Sequence, residues 1–235
     1  MNSMMRNFFL PFCTVSILSL AVSSAHASLV LVIGSPGGGG LIGEVIIDNA
    51  TAGTTIGSWT STTDDSNPLP GVVDFSGEVV GNTVSSATAR SKPALSGNQL
   101  DLSFVNENSA HAFLFIALDT DYVNNGFPFI STATGSASQE MGVGRLLSLS
   151  NQNLESDFEL LTELIWVGPG TFHESAEIPP VEVDEFGLAI STIQNLPGQY
   201  SVNISVQQAI PEPASVLIWS MLAGVGLLVR RHRQA

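Results

Sequence analysis

Two short stretches of the sequence carry residue types that could do chemistry. The first runs from Asp119 to Gly126 and places two carboxylates and two amides directly after an apolar run. Ca²⁺ takes about six to eight oxygen ligands from flexible loops of this kind. The spacing is not that of an EF-hand, because the glycine comes too late and no closing glutamate follows. The same residues suit a turn after a strand, so the stretch predicts either a turn or a Ca²⁺ site at Asp119, Asp121, Asn124 and Asn125.

The second stretch contains His173, Glu174 and Glu177, which lie between Pro169 and Pro179. Two carboxylates can supply the acid and the base of a glycan hydrolase, and a loop between the two prolines would present them to solvent. The chain has 21 acidic residues, however, so close pairs arise without any function. No nucleophile-elbow motif accompanies them, and isolated histidines do not predict a zinc site. We therefore expect a protein that is not an enzyme, with a secreted glycan hydrolase as an alternative.

The distribution of charge excludes one class of partner. All 21 acidic residues lie between Glu44 and Glu212, and the same span has only three basic residues, Arg90, Lys92 and Arg145, which leaves it a net charge of −18. Nucleic-acid binding needs a basic surface that neutralises phosphates, so we expect no nucleic-acid partner. An acidic surface is compatible with divalent cations, with neutral polysaccharide, or simply with solubility.

The N-terminal segment has the features of a signal peptide. Arg6 precedes an apolar stretch from Phe8 to Val22, and the small residues Ala25 and Ala27 come just before Ser28. This pattern predicts export through the Sec translocon and cleavage by signal peptidase before Ser28. The only cysteine of the chain lies in the same segment, so the mature protein is expected to have neither a disulfide nor a reactive thiol.

The C-terminal residues form a pattern of three parts in a fixed order. A triplet, Pro211, Glu212 and Pro213, is followed by an uncharged run over 214–229 and by the basic residues Arg230, Arg231 and Arg233. As a helix the run would be about 24 Å long, somewhat shorter than the roughly 30 Å hydrocarbon core of a membrane. It has no polar face, and the arginines would stay in the cytoplasm. The run therefore predicts a transmembrane helix.

This triplet, short apolar helix and arginine cluster resemble the PEP-CTERM sorting signal of Gram-negative bacteria. The resemblance is confined to residues 210–235 and implies that a membrane enzyme, exosortase, recognises Pro211, Glu212 and Pro213 and processes the chain near them. It also implies export through the inner membrane and a transient anchor there, followed by release to the cell surface or the extracellular matrix. Proteins with this signal are associated with exopolysaccharide and biofilms. The partners it implies are exosortase, the membrane and polysaccharide.

The body between the two signals has the pattern of an all-β domain. Short apolar or alternating runs are separated by Gly, Pro, Asn, Asp and Ser. Gln99–Val105 and Gln199–Gln207 alternate between apolar and polar residues, and the wholly apolar Ala112–Leu118 predicts a strand covered on both faces. Leu154–Val167 fits both a helix and a strand, and its β neighbours favour a strand over Phe158–Val167.

The sequence therefore predicts a single β-sandwich of about ten strands, of the jelly-roll or immunoglobulin-like type, over residues 28–209. A signal helix over 1–27 and the transmembrane helix of the tail would flank it. The predicted function is that of an exported, non-catalytic surface or matrix protein that acts by binding or by being displayed. A Ca²⁺-dependent carbohydrate-binding or adhesin module is the first alternative, and the glycan hydrolase is the second. Apart from this Ca²⁺, no cofactor is expected.

Overall fold

The computed structural model describes most of the body of the chain. The described residues are 29–37, 40–56, 59–92, 94–95, 97–109, 113–123, 126–138, 143–150, 159–166, 169–180, 185–194, 197–209 and the single residue 221. The predicted signal peptide with its cleavage site, Asn124, Asn125, the Pro211–Pro213 triplet and the terminal arginines lie outside them. The described residues contain no helix long and apolar enough to cross a membrane. The predicted helix over 214–229 falls almost wholly outside them.

The described body is built from strands, fourteen in all. They are β1 Val30–Gly37, β2 Gly40–Ile47, β3 Thr55–Ile56, β4 Trp59–Thr60, β5 Val72–Val79, β6 Asn82–Arg90, β7 Gln99–Ser109, β8 Phe113–Val123, β9 Phe129–Ala137, β10 Val143–Ser150, β11 Glu159–Trp166, β12 Gly170–Ile178, β13 Glu185–Gln194 and β14 Gly198–Gln208. The predicted all-β class is confirmed, with more strands than expected. Within the stretch that fits both a helix and a strand, the described residues form the strand β11, as predicted.

Twelve of these strands form two six-stranded antiparallel sheets. Sheet A has the order β11-β10-β13-β8-β1-β2, sheet B has the order β12-β9-β14-β7-β6-β5, and β3 and β4 form a separate two-stranded hairpin. From β7 onward most connections cross from one sheet to the other, so neighbours within a sheet are far apart in sequence. This arrangement confirms the predicted sandwich.

The core lies between the two sheets because each strand turns alternate residues inward. In β14 the inward residues are Tyr200, Val202, Ile204 and Val206, as the alternation predicts, and all four are buried. The sheets meet through aromatic contacts: the rings of Phe104 in β7 and Phe115 in β8 stack with their centroids 3.9 Å apart. The other face of β8 is also covered, since Leu118 packs in a second cluster with Ile56 and Trp59 of the β3–β4 hairpin. The predicted coverage of this strand on both faces is confirmed.

The β1–β2 hairpin depends on two glycines that face each other. Gly34 in β1 pairs with Gly43 in β2. A Cβ atom on Gly43 would lie 2.0 Å from the carbonyl oxygen of Ile33 and 2.5 Å from the Cα atom of Gly34. No side chain fits at such distances, so the close approach of the two backbones requires glycine at this position.

One sequence prediction about a loop is wrong, and two other strands extend beyond what the sequence pattern indicates. The residues around His173 were expected to form a loop between two prolines, but they lie in β12, which pairs with β9 along its whole length. β7 continues beyond the alternating stretch Gln99–Val105, to Ser109. β9 runs from Phe129 to Ala137, where the sequence shows no alternation of apolar and polar residues. In each case polar or small residues conceal a strand whose outer face meets solvent.

Candidate functional site

The outer face of sheet B is a continuous polar surface built by cross-strand register. Its strands turn their hydrophobic residues into the core, so the intervening residues point outward. Five neighbouring strands, β6, β7, β14, β9 and β12, align these outward residues in rows that run across the sheet. The first row contains Ser86, Val105, Ser201, Ser136 and Thr171; the second contains Thr88, Ser103, Asn203, Thr134 and His173; the third contains Arg90, Asp101, Ser205, Thr132 and Ser175.

A shallow groove lies over the first two rows and extends beyond the first row to Glu107, Ser138 and Gln199. It consists of two adjoining depressions, of about 430 Å³ and 220 Å³, which share the residues Val105 and Ser201. The smaller depression reaches Ser86 on β6, and both reach β9, at Thr134 and Ser136. We call this feature the cross-strand groove. The two depressions together touch four strands, β6, β7, β14 and β9, and on β14 they extend from Gln199 to Asn203.

Small hydrogen-bonding side chains line this groove. Most of its outward residues are Ser, Thr, Asn or Gln, each of which offers both a donor and an acceptor. Ser201 and Asn203, on the central strand β14, are exposed, and Val105 is 36% exposed. None of the outward positions of sheet B that the structure describes carries Phe, Tyr or Trp. The surface can therefore bind a ligand through many hydrogen bonds and a little apolar contact, but not through stacking on an aromatic ring.

The predicted Ca²⁺ residues lie in a different place from the one expected. Asp119 and Asp121 belong to β8 and not to a turn that follows it. Asp119 is fully buried. Its Oδ1 accepts a hydrogen bond from the backbone amide of Thr120 at 2.8 Å, and its Oδ2 accepts one from the hydroxyl of Ser91. Within the described ranges, no three His, Cys, Asp or Glu side chains come together as a set that could hold a metal ion. The Ca²⁺ site remains a prediction.

Asp119 begins a chain of hydrogen bonds that joins the two sheets. The carboxyl group bonds Ser91, which follows β6 of sheet B; the hydroxyl of Ser91 lies 2.6 Å from that of Tyr122; and Tyr122 donates to the carbonyl of Gln99 at 3.0 Å. Nζ of Lys92 closes the cluster, because it donates to the carbonyl of Thr120 at 2.7 Å and lies 4.3 Å from the centroid of the Tyr122 ring. This network links β8 to the segment between β6 and β7.

The protonation state of Asp119 decides whether this chain of bonds is complete. The chain consists of three hydrogen bonds, which join Asp119 to Ser91, Ser91 to Tyr122, and Tyr122 to the carbonyl of Gln99. Three bonds need three protons, and the hydroxyls of Ser91 and Tyr122 supply only two when Asp119 is ionised. When Asp119 is ionised, Ser91 donates to its Oδ2; when Asp119 is protonated, the carboxyl supplies the third proton, so that it can donate to Ser91, Ser91 to Tyr122, and Tyr122 to the carbonyl of Gln99. Burial raises the pKa of Asp119 to about 6, although the bond to Ser91 and the charge of Lys92 both lower it. The carboxyl is therefore neutral below about pH 6 and ionised above it.

The proposed acid–base pair of the hydrolase alternative does not form a single site. Glu174 and Glu177 are three residues apart in β12, and successive side chains of a strand point to opposite faces. Glu174 therefore shares a face with Phe172 and Ala176, which pack against the core, while Glu177 lies on the outer face with His173. The two carboxylates cannot flank one glycosidic bond in this arrangement.

The end of β14 is held in place by two buried amides. Nδ2 of Asn98 donates to Oε1 of Gln208 at 2.6 Å and also to the carbonyl of Val123, and Nε2 of Gln208 donates to the carbonyl of Phe127 at 3.0 Å. The backbone amide of Ala209 donates to the carbonyl of Pro128 at 2.8 Å. The described body thus remains hydrogen-bonded as far as Ala209, two residues before Pro211.

Sequence reasoning did not find the groove, although one signal for it was present. The alternation in β14 correctly placed the inward residues and so implied that Ser201 and Asn203 point outward. The neighbours of β14 could not be identified, because β9 and β7 are distant in sequence and β9 was not recognised as a full strand. The groove requires these three strands and β6 in register.

Comparison with known proteins gives only distant likenesses. No protein-family model matches the sequence, and no curated protein matches it. One similar solved structure is TmCBM61 in complex with β-1,4-galactotriose, with 10% identity over 59% of this chain and 83% of that chain and a TM-score of 0.32. A second is a CBM4 protein, with 11% identity over 61% of this chain and 90% of that chain and a TM-score of 0.34. A third is a family 11 carbohydrate-binding module from Clostridium thermocellum in complex with a β-1,3-1,4-mixed-linked tetrasaccharide, with 16% identity over 63% of this chain and 95% of that chain and a TM-score of 0.30. At such TM-scores these likenesses carry no argument about function, which must come from the groove.

Proposed function

We propose that this chain is an exported, non-catalytic module that binds polysaccharide in the cross-strand groove on the outer face of sheet B. The observation that carries the proposal is the lining of this groove by small side chains that can both donate and accept hydrogen bonds. A sugar chain presents hydroxyl groups along its whole length, and such a lining complements them at many points. The separation of Glu174 from Glu177 on opposite faces supports a binding role over hydrolysis.

The test of binding is to fill the groove. Ser201 lies at its centre, so Ser201→Trp should remove the space that the ligand occupies. Ser175→Trp is the matched control, because Ser175 is exposed on the same face but lies in β12, beyond the groove. Migration of the purified protein is measured in native gels that contain mixed-linkage β-glucan, galactan or xylan. We expect retardation of the wild-type protein and of Ser175→Trp, and its loss in Ser201→Trp. Equal retardation of all three would contradict the proposal.

We propose in addition that the tail sorts this module to the cell surface, as the PEP-CTERM resemblance implies. Glu212→Ala should then leave the full-length protein in the membrane, because exosortase would no longer recognise the triplet. Intact mass of the protein from wild-type and exosortase-deleted cells provides the measurement. The wild-type form should begin at Ser28 and end near Pro211–Pro213, whereas the form from deleted cells should keep Arg230 to Ala235. If both forms keep the whole tail, the C-terminus is a plain anchor.

The alternative of hydrolysis is tested on the same polysaccharides. We expect no release of shorter sugars from any of them by the wild-type protein. Release that disappears in Glu174→Gln or in Glu177→Gln would establish the enzyme instead, and would require a rearrangement of β12 to bring the two carboxylates together.

A further inference from the structure

Strand β12 is the last strand of sheet B and presents a straight row of backbone groups at the edge of the sheet. It pairs with β9 from Gly170 to Ile178 without a register shift, and no described strand pairs with its other side. Most of its side chains are exposed, including those of His173, Ser175 and Glu177. Alternate amides and carbonyls of such a strand point away from the sheet, where they can pair with a strand of another chain.

The other three edges of the two sheets are interrupted or covered. At β2 the amide of Thr62 donates to the carbonyl of Val45 at 2.8 Å, so a neighbouring segment occupies part of this edge. At β5 the pairing with β6 shifts register between Phe75 and Gly77, and at β11 the pairing with β10 also shifts. Such bulges bend an edge strand and hinder its pairing with another chain. Among the described edges, β12 alone is both long and regular.

A second copy of β12 is complementary to the first in one antiparallel register. Directly opposite residues of an antiparallel pair lie on the same face of the sheet, so a two-fold axis between two copies must pass through one residue position. An axis at Ser175 places His173 opposite Glu177 of the second copy, and Phe172 opposite its Ile178, each twice by symmetry. Either protonation state of the imidazole has an N–H that can donate to the carboxylate. The apolar pairs meet on the inner face, which packs against the core.

The neighbouring registers are unfavourable because of the carboxylate of Glu174. An axis at Glu174 itself would place it opposite its own copy, and like charges in that position are destabilising. An axis at His173 or at Ala176 would place it opposite a large apolar residue, Phe172 or Ile178. Only the axis at Ser175 gives this carboxylate a small neighbour, since Ala176 then lies opposite.

We infer that β12 is a self-association edge, through which two copies of this chain pair antiparallel around a two-fold axis at Ser175 and join their B sheets into one sheet of twelve strands. The axis is perpendicular to the sheet, so both cross-strand grooves face the same side of the dimer. One pair of strands buries less area than the roughly 1,600 Å² of a standard stable interface. The net charge of −18 over the span from Glu44 to Glu212 also opposes association. The dimer is therefore weak and depends on concentration.

The first experiment measures the mass of the purified protein in solution by analytical ultracentrifugation. Concentrations run from about 1 μM to about 1 mM, at about 0.15 M salt, where charges are screened beyond about 8 Å. The variants are His173→Glu, which places two glutamates opposite each other at both ends of the interface, and the double variant His173→Glu/Glu177→Lys, which restores opposite charges. Gln207→Glu is the matched control, because it adds the same charge at an exposed position on the same face but on the central strand β14.

We expect the wild-type protein and Gln207→Glu to approach twice the monomer mass at high concentration. His173→Glu should weaken association by about tenfold or more, and the double variant should recover it. A wild-type protein that stays monomeric at about 1 mM overturns the inference, as does equal association of His173→Glu. Growth beyond two copies would also contradict it, because pairing of β12 with a different edge makes an open chain of subunits.

The second experiment locates the axis by cross-linking. The only cysteine of the chain, Cys13, lies in the predicted signal peptide, so the exported protein offers a background without thiols. In the dimer the two copies of Ser175 are directly opposite, with Cβ atoms about 5 Å apart, and Ser175→Cys should form a disulfide-linked dimer on oxidation with diamide. Thr171→Cys is the control on the same face of the same strand: its two copies lie about 27 Å apart, far beyond the reach of a disulfide. Cross-linking of Thr171→Cys, or of neither variant, would refute the register. None of these results depends on what the groove binds, so the proposed function is tested separately.

Discussion

Replacement of Asp119 by asparagine tests the incomplete chain of hydrogen bonds between the two sheets. The amide of asparagine has the shape of the carboxyl group but carries protons at every pH. Its Nδ2 can donate to Ser91, Ser91 can donate to Tyr122, and its Oδ1 can still accept from the amide of Thr120. The variant therefore reproduces the protonated acid and removes its titration.

The magnitude follows from the shift in the pKa of Asp119. Burial raises this pKa from 3.8 to about 6, a change of about two units, and each unit corresponds to about 1.4 kcal/mol. Because the pKa is higher in the folded protein than in the unfolded chain, the folded protein binds more protons between these two values. The stability that Asp119 contributes is thus greatest below pH 3.8 and falls as the pH rises through about 6. The total contribution lost is about 3 kcal/mol, nearly all of it by pH 7.

Urea unfolding of both proteins between pH 4 and pH 8 measures this effect. The other acidic residues also change stability with pH, since protonation relieves their mutual repulsion, so the quantity to compare is the difference between the two proteins. We expect Asp119→Asn to be more stable by about 3 kcal/mol at pH 7 and by much less at pH 4, with the same dependence of the unfolding free energy on urea. Glu177→Gln, at an exposed position, controls for the loss of one negative charge. A difference that does not change with pH, or a variant that is less stable at pH 7, would refute the reasoning.

Three further changes probe other parts of the structure. Gly43→Ala should lower the free energy of unfolding by about 3 kcal/mol or prevent folding, because its Cβ would lie 2.0 Å from a backbone oxygen; a fully stable variant in urea unfolding would show that the hairpin can open. Asn98→Ala should lower the free energy of unfolding by about 1–3 kcal/mol in the same assay, because Gln208 and the carbonyl of Val123 lose a buried donor. A change within experimental error would show that these bonds do not hold the end of β14. Millimolar Ca²⁺ should leave the thermal midpoint unchanged, because the carboxyl of Asp119 is buried and bonded to Ser91; a rise that disappears in Asp121→Ala would establish the predicted calcium site.

The fold class could be predicted from the sequence because the inward faces of the strands are strongly apolar. Val202, Ile204 and Val206 alternate with polar residues, and that period of two has no other explanation in a stretch of this length. The apolar run that became β8 was also informative, since a strand without polar residues must be covered on both sides. These signals come from burial, which is a property of single strands and is visible one strand at a time.

Strands β9 and β12 could not be predicted because burial constrains them weakly. The middle of β9 reads Ser131-Thr132-Ala133-Thr134-Gly135-Ser136, in which the inward residues are as small as the outward ones and no hydrophobic alternation appears. The ring of Phe172 lies over Gly135 and leaves room for no larger residue: a Cβ there would lie 2.6 Å from the ring. In β12, Glu174 occupies an inward position and interrupts the pattern, which an edge strand tolerates because its side chains reach solvent.

The groove was hidden for a related reason: it belongs to no single segment. Ser86, Ser103, Thr134 and Ser201 are polar residues at the surface, and each of them alone indicates only solubility. They form a site because register aligns them across strands whose order in sheet B differs from their order in the chain. The sequence instead indicated a possible site at the pair of aspartates after an apolar run. In the structure, Asp119 is a buried residue whose hydrogen bonds join the two sheets.

Strand β14 connects the two functions proposed for this chain. It carries Ser201 and Asn203 in the groove and ends at Gln208, just before the segment that leads to the Pro211–Pro213 triplet. Because it lies between β7 and β9, it cannot leave the sheet unless its pairings on both sides break together. A polysaccharide bound in the groove and a tail held at the membrane would therefore pull on the same doubly paired strand, and the amides of Asn98 and Gln208 oppose fraying at its end. Cleavage within the triplet removes no residue of β14, so processing would leave the groove intact.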